Sequence, residues 1–332
     1  MKKYLLSAAA LVMGMTPAMA ETAGSTIAAG AAAAPQAAAA ATPAHINRII
    51  QVWEQNQPVY YTQISGGGYE EGKKLAATKA DYITYDMEHG TLDFAALRAF
   101  MQGLVDAGPT RTGHRTPAVI VTLPVLGDDP VSMKANAWVA QQVMAAGAHG
   151  ILLCQAESPE AVRILVEHLR YPFAPGADPK ATHRGNGSQS YASKIWGLSN
   201  TEYLRRADLW PLNKDGEVLL GLKIENPKAV AHSEELAKIP GVAFVEWGPG
   251  DQGMYLLGMP KEGSGERAQD PKMVAARARV LAASKAAGIK FLNSCGENTV
   301  IDQLKEGVMI CTGGDTPAAD KGRAFTKRQQ PW

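Results

Sequence analysis

From His45 onward, short runs of aliphatic and β-branched residues alternate with longer stretches whose apolar residues recur at helical spacing. The short runs predict strands at 59–63, 82–86, 118–122, 150–154, 219–224, 242–246, 289–293 and 308–312. The longer stretches predict helices at 70–79, 93–107, 131–146, 158–169, 227–238, 271–287 and 300–306. Asp93 and Ser158 are placed as N-caps, since their side-chain oxygens can accept the unpaired N–H groups of a first turn. Gly147, Gly241 and Gly288 stop helices shortly before the next strand. This alternation predicts an α/β fold, a single-domain (β/α)₈ TIM barrel. An open doubly wound sheet is the competitor. It would show a glycine-rich dinucleotide fingerprint after an early strand, and none is present. Gly66-Gly67-Gly68 is read instead as a mobile βα loop. Residues 171–216 form a long insertion between strands four and five, a length that is usually functional or mobile.

Ahead of the barrel pattern the chain has a different character. Lys2 and Lys3, an apolar run from Leu5 to Met15 and the small-residue motif Ala18-Met19-Ala20 read as a signal peptide over residues 1–20. Residues 21–44 are rich in Ala and Pro with no apolar stripe to bury, and predict a flexible linker before a barrel domain at 45–332. The expected location is therefore periplasmic or secreted, after cleavage near Ala20.

Composition narrows the picture further. With 46% hydrophobic and 20% charged residues the chain can bury a sizeable core, which excludes wholesale disorder. Lys+Arg 33 against Asp+Glu 32 leaves no cationic excess for general binding to nucleic acid or anionic membrane. The partner expected is a small molecule. Three cysteines, Cys154, Cys295 and Cys311, are an odd number, so at least one stays outside any intrachain disulfide. Their spacing fits no zinc motif, Cys154 reads as a small buried apolar residue, and none is read as a nucleophile.

In a barrel the reactive groups lie at the C-terminal ends of strands. Strand two ends in Asp86-Met87-Glu88-His89, which places Asp86 and Glu88 on one side and a histidine beside them: an acid/base cluster, or else a solvated strand end. Strand five carries Lys223-Ile224-Glu225, with Lys223 and Glu225 on one face. Strand six runs into Gly248-Pro249-Gly250-Asp251, whose backbone N–H groups are open to an anion. Glu225 and Asp251 are two hard oxygen donors from neighbouring strand ends and suit Mg²⁺ or Mn²⁺; an internal pair with Lys223 and a helix cap are the alternatives. Arg184, in Arg184-Gly185-Asn186-Gly187-Ser188, is read as a carboxylate holder or a flexible turn. His149 and His232 fall away from the active end and are read as structural.

Taken in order, DYITYDMEHGTLDF (81–94), GAHGILLCQAESPEAVRILVEHLRYP (147–172), RGNGS (184–188), LKIENPKAV (222–230), WGPGDQG (247–253) and GGDT (313–316) resemble the HpcH/HpaI aldolase family over about residues 46–320. These are metal-dependent 2-oxo-acid aldolases related to the citrate lyase β-subunit. The resemblance implies a phosphoenolpyruvate/pyruvate-type barrel and a homo-oligomer built from dimers, up to a hexamer with exchanged C-terminal helices. It also implies reversible aldol cleavage through a pyruvate-like enolate bound to a divalent metal: Mg²⁺ or Mn²⁺, with Co²⁺ or Zn²⁺ as substitutes. Glu225 and Asp251 become the metal ligands, His89 the proton-transfer residue and Asp86 its orienting partner. The substrate-binding set is Gly250, Asp251, Trp247 and Arg184.

Three departures stand out. Thr122 ends strand three where the family has an arginine, Lys223 replaces the usual glutamine, and the metal loop reads Asp251-Gln252-Gly253 after Glu246 and Trp247. Lys223 is assigned the missing positive charge, with a Schiff-base role and a simple balance of Glu88 or Glu246 as the competing readings. The expected activity is an exported carbon–carbon lyase acting on a hydroxylated 2-oxo acid. The alternatives are a different lyase or hydrolase reaction at the same metal site, and a non-catalytic metal- or ligand-binding barrel. Mass spectrometry of protein recovered from periplasm or medium is expected to show an N-terminus at or near Glu21; an intact Met1 there overturns the signal-peptide assignment.

Overall fold

The computed structural model describes residues 43–259 and 267–330, so the signal-peptide assignment, and the linker apart from Pro43 and Ala44, lie outside the described residues. Eight parallel strands close into a barrel in sequence order: β1 (Val59–Ile64), β2 (Tyr82–Asp86), β3 (Ala118–Thr122), β4 (Gly150–Leu153), β5 (Leu219–Ile224), β6 (Val242–Trp247), β7 (Lys290–Asn293) and β8 (Ile310–Thr312). Ahead of them lies α1 (Arg48–Glu54), and the connections carry α2 (Tyr69–Leu75), α3 (Phe94–Asp106), α4 (Pro130–Asn136), α5 (Trp138–Ala145) and α6 (Pro159–Leu169). There follow α7 (Gln189–Trp196), α8 (Asn200–Arg206), α9 (Pro227–Ala231), α10 (Ser233–Ala237), α11 (Pro249–Leu257), α12 (Pro271–Ala287), α13 (Val300–Glu306) and α14 (Pro317–Phe325).

Alternation along each strand sorts side chains into two separate cores. Outward residues such as Tyr85, Val121, Leu222 and Val245 pack under the helices against Phe100 of α3 and Leu165 of α6. Inward residues at the lower end, including Val59, Tyr61, Ile120 and Phe244, pack with Ile49, Ile50, Val52 and Trp53 of α1, which plugs the N-terminal end of the barrel. Gly221 faces this inner core, and a Cβ there would stand 2.1 Å from the Phe244 ring. The missing side chain is what lets Phe244 cross the barrel. Above this apolar plug the inward positions turn polar, with Gln63, Thr84, Asp86, Thr122, Lys223 and Glu246.

Asp93 and Ser158 cap α3 and α6, accepting hydrogen bonds from the amides of Ala96 and Ala161. Two expected helices are broken. The 131–146 stretch becomes α4 and α5, and 227–238 divides at His232, whose Nδ1 sits 2.7 Å from the Glu157 carbonyl. The 171–216 insertion carries α7 and α8 rather than an extended loop. It packs beside the N-terminal end of β4, where the Trp196 indole N–H donates to Gly147 O at 2.9 Å. A disulfide joins Cys295 to Cys311 of β8, leaving Cys154 free and buried.

The chain's end is tied to the barrel floor by a buried ion cluster. Asp81, just before β2, accepts the Tyr60 amide at 2.9 Å and pairs with Arg48 at 3.1 Å and with both terminal nitrogens of Arg328. Burial raises the Asp81 carboxyl, but the arginines outweigh it and hold the group below the ordinary aspartate value. Its contribution to stability is therefore present at neutral pH and lost as pH falls through the carboxylate range. Asp81→Asn is expected to cost about 3–5 kcal/mol, since it leaves buried guanidinium groups uncompensated. Urea denaturation at neutral pH measures this, and a loss below 1 kcal/mol, roughly that of an exposed pair, removes the cluster from any central role.

Candidate active site

The upper, polar end of the barrel interior holds a cavity of about 110 Å³. Asp86, the last residue of β2, is buried. Its Oδ1 accepts the backbone N–H groups of Glu88 (2.8 Å) and His89 (3.1 Å), and its Oδ2 accepts the Gln63 side-chain amide at 3.0 Å. That same Oδ2 lies 2.8 Å from His89 Nδ1. A carboxylate accepts only, so Nδ1 carries the proton and Nε2 is left free. The His89 side chain is 66% exposed, so it reaches solvent and cavity together. The hydrogen bond to Asp86 raises its pKa above the ordinary histidine value.

Opposite stands Lys223. Its ammonium lies 2.5 Å from Glu88 Oε2 and 3.1 Å from Glu225 Oε2. Burial opposes the charge, but the acids around it, Glu225, Glu246 and Glu88, outweigh burial and hold the ammonium well above the ordinary lysine pKa. Glu225 is 1% exposed and also accepts the Gln155 amide at 3.0 Å. Its burial pushes the carboxyl up, against the pull of Lys223. A Cβ at Gly248 would stand 2.7 Å from Glu225 Oε2, so only glycine lets the backbone entering α11 lie this close.

Gly248 is the N-cap of α11, and Gly250 and Asp251 form its first turn, where backbone N–H groups have no intrahelical acceptor. A Cβ at Gly250 would meet nothing within 4 Å, and Gly250 itself is exposed. The half-buried Asp251 carboxylate forms no hydrogen bond or ion pair with any described residue. Among the described residues, two groups bring ligand atoms within 4.8 Å of one another: Asp86–Glu88–His89 and Glu88–Cys154–Glu225. Asp251 belongs to neither. Burial pushes the Cys154 thiol far up, so it stays protonated and takes no part as a thiolate. Four carboxyl groups (Asp86, Glu88, Glu225 and Glu246) thus face one ammonium, and this excess of hard oxygen donors fits a divalent cation of the Mg²⁺ or Mn²⁺ kind.

Two expected substrate contacts are corrected. Trp247 is buried in the outer core, because it follows inward-facing Glu246 and alternation turns it away from the mouth. Arg184 is 3% exposed and donates to Ala207 O (2.9 Å) and Tyr203 Oη (3.1 Å), with Tyr171 stacked at 4.2 Å. The insertion leads back to the N-terminal end of β5, so this guanidinium braces α8 instead of meeting a ligand. His149 is structural: its Nδ1 accepts the Val119 amide at 3.1 Å, and burial lowers its pKa to about 4. Glu88, read in the strand-two cluster and as a counter-charge to Lys223, and Glu246, read as a counter-charge, both line the cavity; Gln63 is a lining residue that the sequence reading passes over. The available signal was a polar residue at an inward strand position.

The family described as HpcH/HpaI aldolase/citrate lyase matches residues 72–314. A hydroxypyruvate/pyruvate aldolase of Paraburkholderia phytofirmans is 24% identical over 238 residues, 71% of this chain and 78% of that protein. One from Roseovarius nubinhibens is 26% identical over 220 residues, 66% and 72% of the two chains. Among solved structures, an HpcH/HpaI aldolase/citrate lyase family protein from Burkholderia cenocepacia superposes with a TM-score of 0.62 at 23% identity, over 85% of this chain and 97% of that one. At that identity the superposition establishes the barrel. In an NMR titration, the His89 ring is expected to titrate above 6.5, and Asp86→Asn is expected to bring it back toward that value. An unchanged His89 pKa in the variant dissolves the dyad.

Proposed function

The chain belongs to the HpcH/HpaI aldolase/citrate lyase family and is a lyase, and on that premise we propose that it makes or breaks a carbon–carbon bond in a hydroxylated 2-oxo acid by an aldolase-type reaction. The observation that carries this reading is the His89–Asp86 pair opening onto a cavity that also holds a buried ammonium, with Glu88 between the two. Held through Nδ1, His89 presents Nε2 as the group that takes a proton from, or returns one to, the reacting carbon or hydroxyl. Glu225 and Asp251 are the residues that would hold the divalent cation, Asp251 being free of other partners and Gly248 bringing the start of α11 against Glu225. When bound, the cation supplies positive charge beside the substrate's oxygens. The N–H groups of Gly250 and Asp251 receive the substrate carboxylate.

Lys223 supplies a second, fixed positive charge, and Thr122 stands at the end of β3 where the family resemblance calls for arginine. Because its two acid partners keep the amine protonated, the electrostatic role is favoured over Schiff-base formation, which needs the free amine. The Cys295–Cys311 disulfide supports the reading that the chain is exported, since such bonds persist outside the reducing cytosol. A homo-oligomer stays part of the proposal on the family resemblance.

The test is exchange of pyruvate methyl protons in D₂O, followed by NMR on the Mn²⁺- or Mg²⁺-loaded mature protein. Exchange is expected, and His89→Ala is expected to slow it by about 10²–10⁴ while leaving metal affinity in place. Tight metal binding without any exchange refutes the pyruvate-type reaction and assigns the site to other lyase chemistry.

A further inference from the structure

Glu246 stands out among the acids of the cavity. It lies on β6, paired in register with Lys223 on one side and Leu292 on the other. Below it on the same face of the strand sits Phe244, part of the apolar plug, so Glu246 is where the polar half of the interior begins. Burying a carboxyl group is costly unless something compensates it. The Lys223 ammonium offsets this only at a distance, because its direct contacts go to Glu88 and Glu225. No described residue hydrogen-bonds Glu246, and its side chain lines the cavity. The interior holds more carboxyl groups than its one ammonium can pair, and no hydrogen-bond partner among the described residues explains the place of Glu246. What remains in reach is whatever enters the cavity.

We propose that Glu246 is a specificity-determining residue: its carboxyl closes the floor of the cavity and selects ligands whose inserted end carries a neutral hydroxyl over ligands that bring a second carboxylate there. This deepens the reading of the site as one for hydroxylated 2-oxo acids, and rests on it. A hydroxyl donates to the carboxylate and can accept from Thr84 or Thr122, which line the same cavity. A second carboxylate meets Glu246 head-on, with Asp86 and Glu88 also in the wall and the one ammonium already engaged. Like charges brought together in a partly desolvated site cost several kcal/mol. Burial brings the Glu246 carboxyl up to about 7, so the discrimination is strongest in mildly alkaline buffer, where the group is ionised.

The experiment uses three stable 2-hydroxy acids that differ only at the third carbon: lactate (methyl), glycerate (hydroxymethyl) and malate (carboxymethyl). Their affinities are measured by calorimetry in mildly alkaline buffer on the metal-loaded full chain. Glycerate is expected to bind more tightly than malate by about tenfold or more. Glu246→Gln, with its fold checked by circular dichroism, is expected to erase most of that ratio by strengthening malate, with lactate unchanged. Glu246→Asp is expected to keep it. Equal affinities for glycerate and malate in the unmodified protein, failure of all three to bind, or an unchanged ratio in Glu246→Gln each overturn the proposal. A preserved ratio without pyruvate proton exchange leaves the selectivity standing and removes the aldolase reaction. Exchange without the ratio does the reverse.

Discussion

One ammonium inside a barrel governs this molecule's chemistry. Lys223 lies on the inner face of β5 with Glu88 and Glu225 in direct contact. None of these groups would tolerate the barrel interior alone, since an unpaired buried charge costs several kcal/mol. Together they form a polar layer that is satisfied from within and still carries more negative than positive charge. That residual acidity accounts at once for the fit to a hard cation and for the protonated state of the lysine, while burial is what raises the carboxyl of Glu225.

The polar layer exists because the lower barrel is sealed. The side chains of α1 fill the N-terminal end, and Phe244 spans it through the gap left by Gly221. The second glycine that matters, Gly248, works at the other end by letting the start of α11 lie against Glu225. Both glycines act through the absence of a Cβ at a point of close approach, one for packing and one for chemistry.

Around the barrel the remaining charged groups serve architecture. Asp81 gathers Arg48 from before the first strand and Arg328 from after the last helix, closing the ring of strands with a buried ionic clasp. Arg184 does the same for the insertion, through backbone carbonyls and tyrosine faces. Arginine suits both places because its planar fork satisfies several acceptors in fixed geometry. In sequence such residues cannot be told from ligand-binding arginines, and Arg184 in a glycine-rich segment shows how easily the two are confused.

The periodicity of apolar residues was enough to locate all eight strands to within about two residues, because burial on two faces leaves a run of aliphatic residues that no loop carries. The pairing of Asp86 with His89 was legible only through the family resemblance, since the strand end alone gave an acid/base cluster or a solvated terminus. Where a helix breaks was not: the interruption at His232 depends on a hydrogen bond to Glu157, which is remote in sequence. The outward aim of Trp247 was missed, because the predicted strand stopped at Glu246 while β6 runs on to Trp247 and alternation turns it into the outer core. Local pattern, then, determined the strands and the clustering of Asp86, Glu88 and His89 at a strand end. Tertiary structure decided which acids Lys223 holds, which it leaves open to a ligand and which arginine is merely a brace, because those outcomes depend on contacts that local pattern does not encode, such as that between Glu88 and Lys223, 135 positions apart.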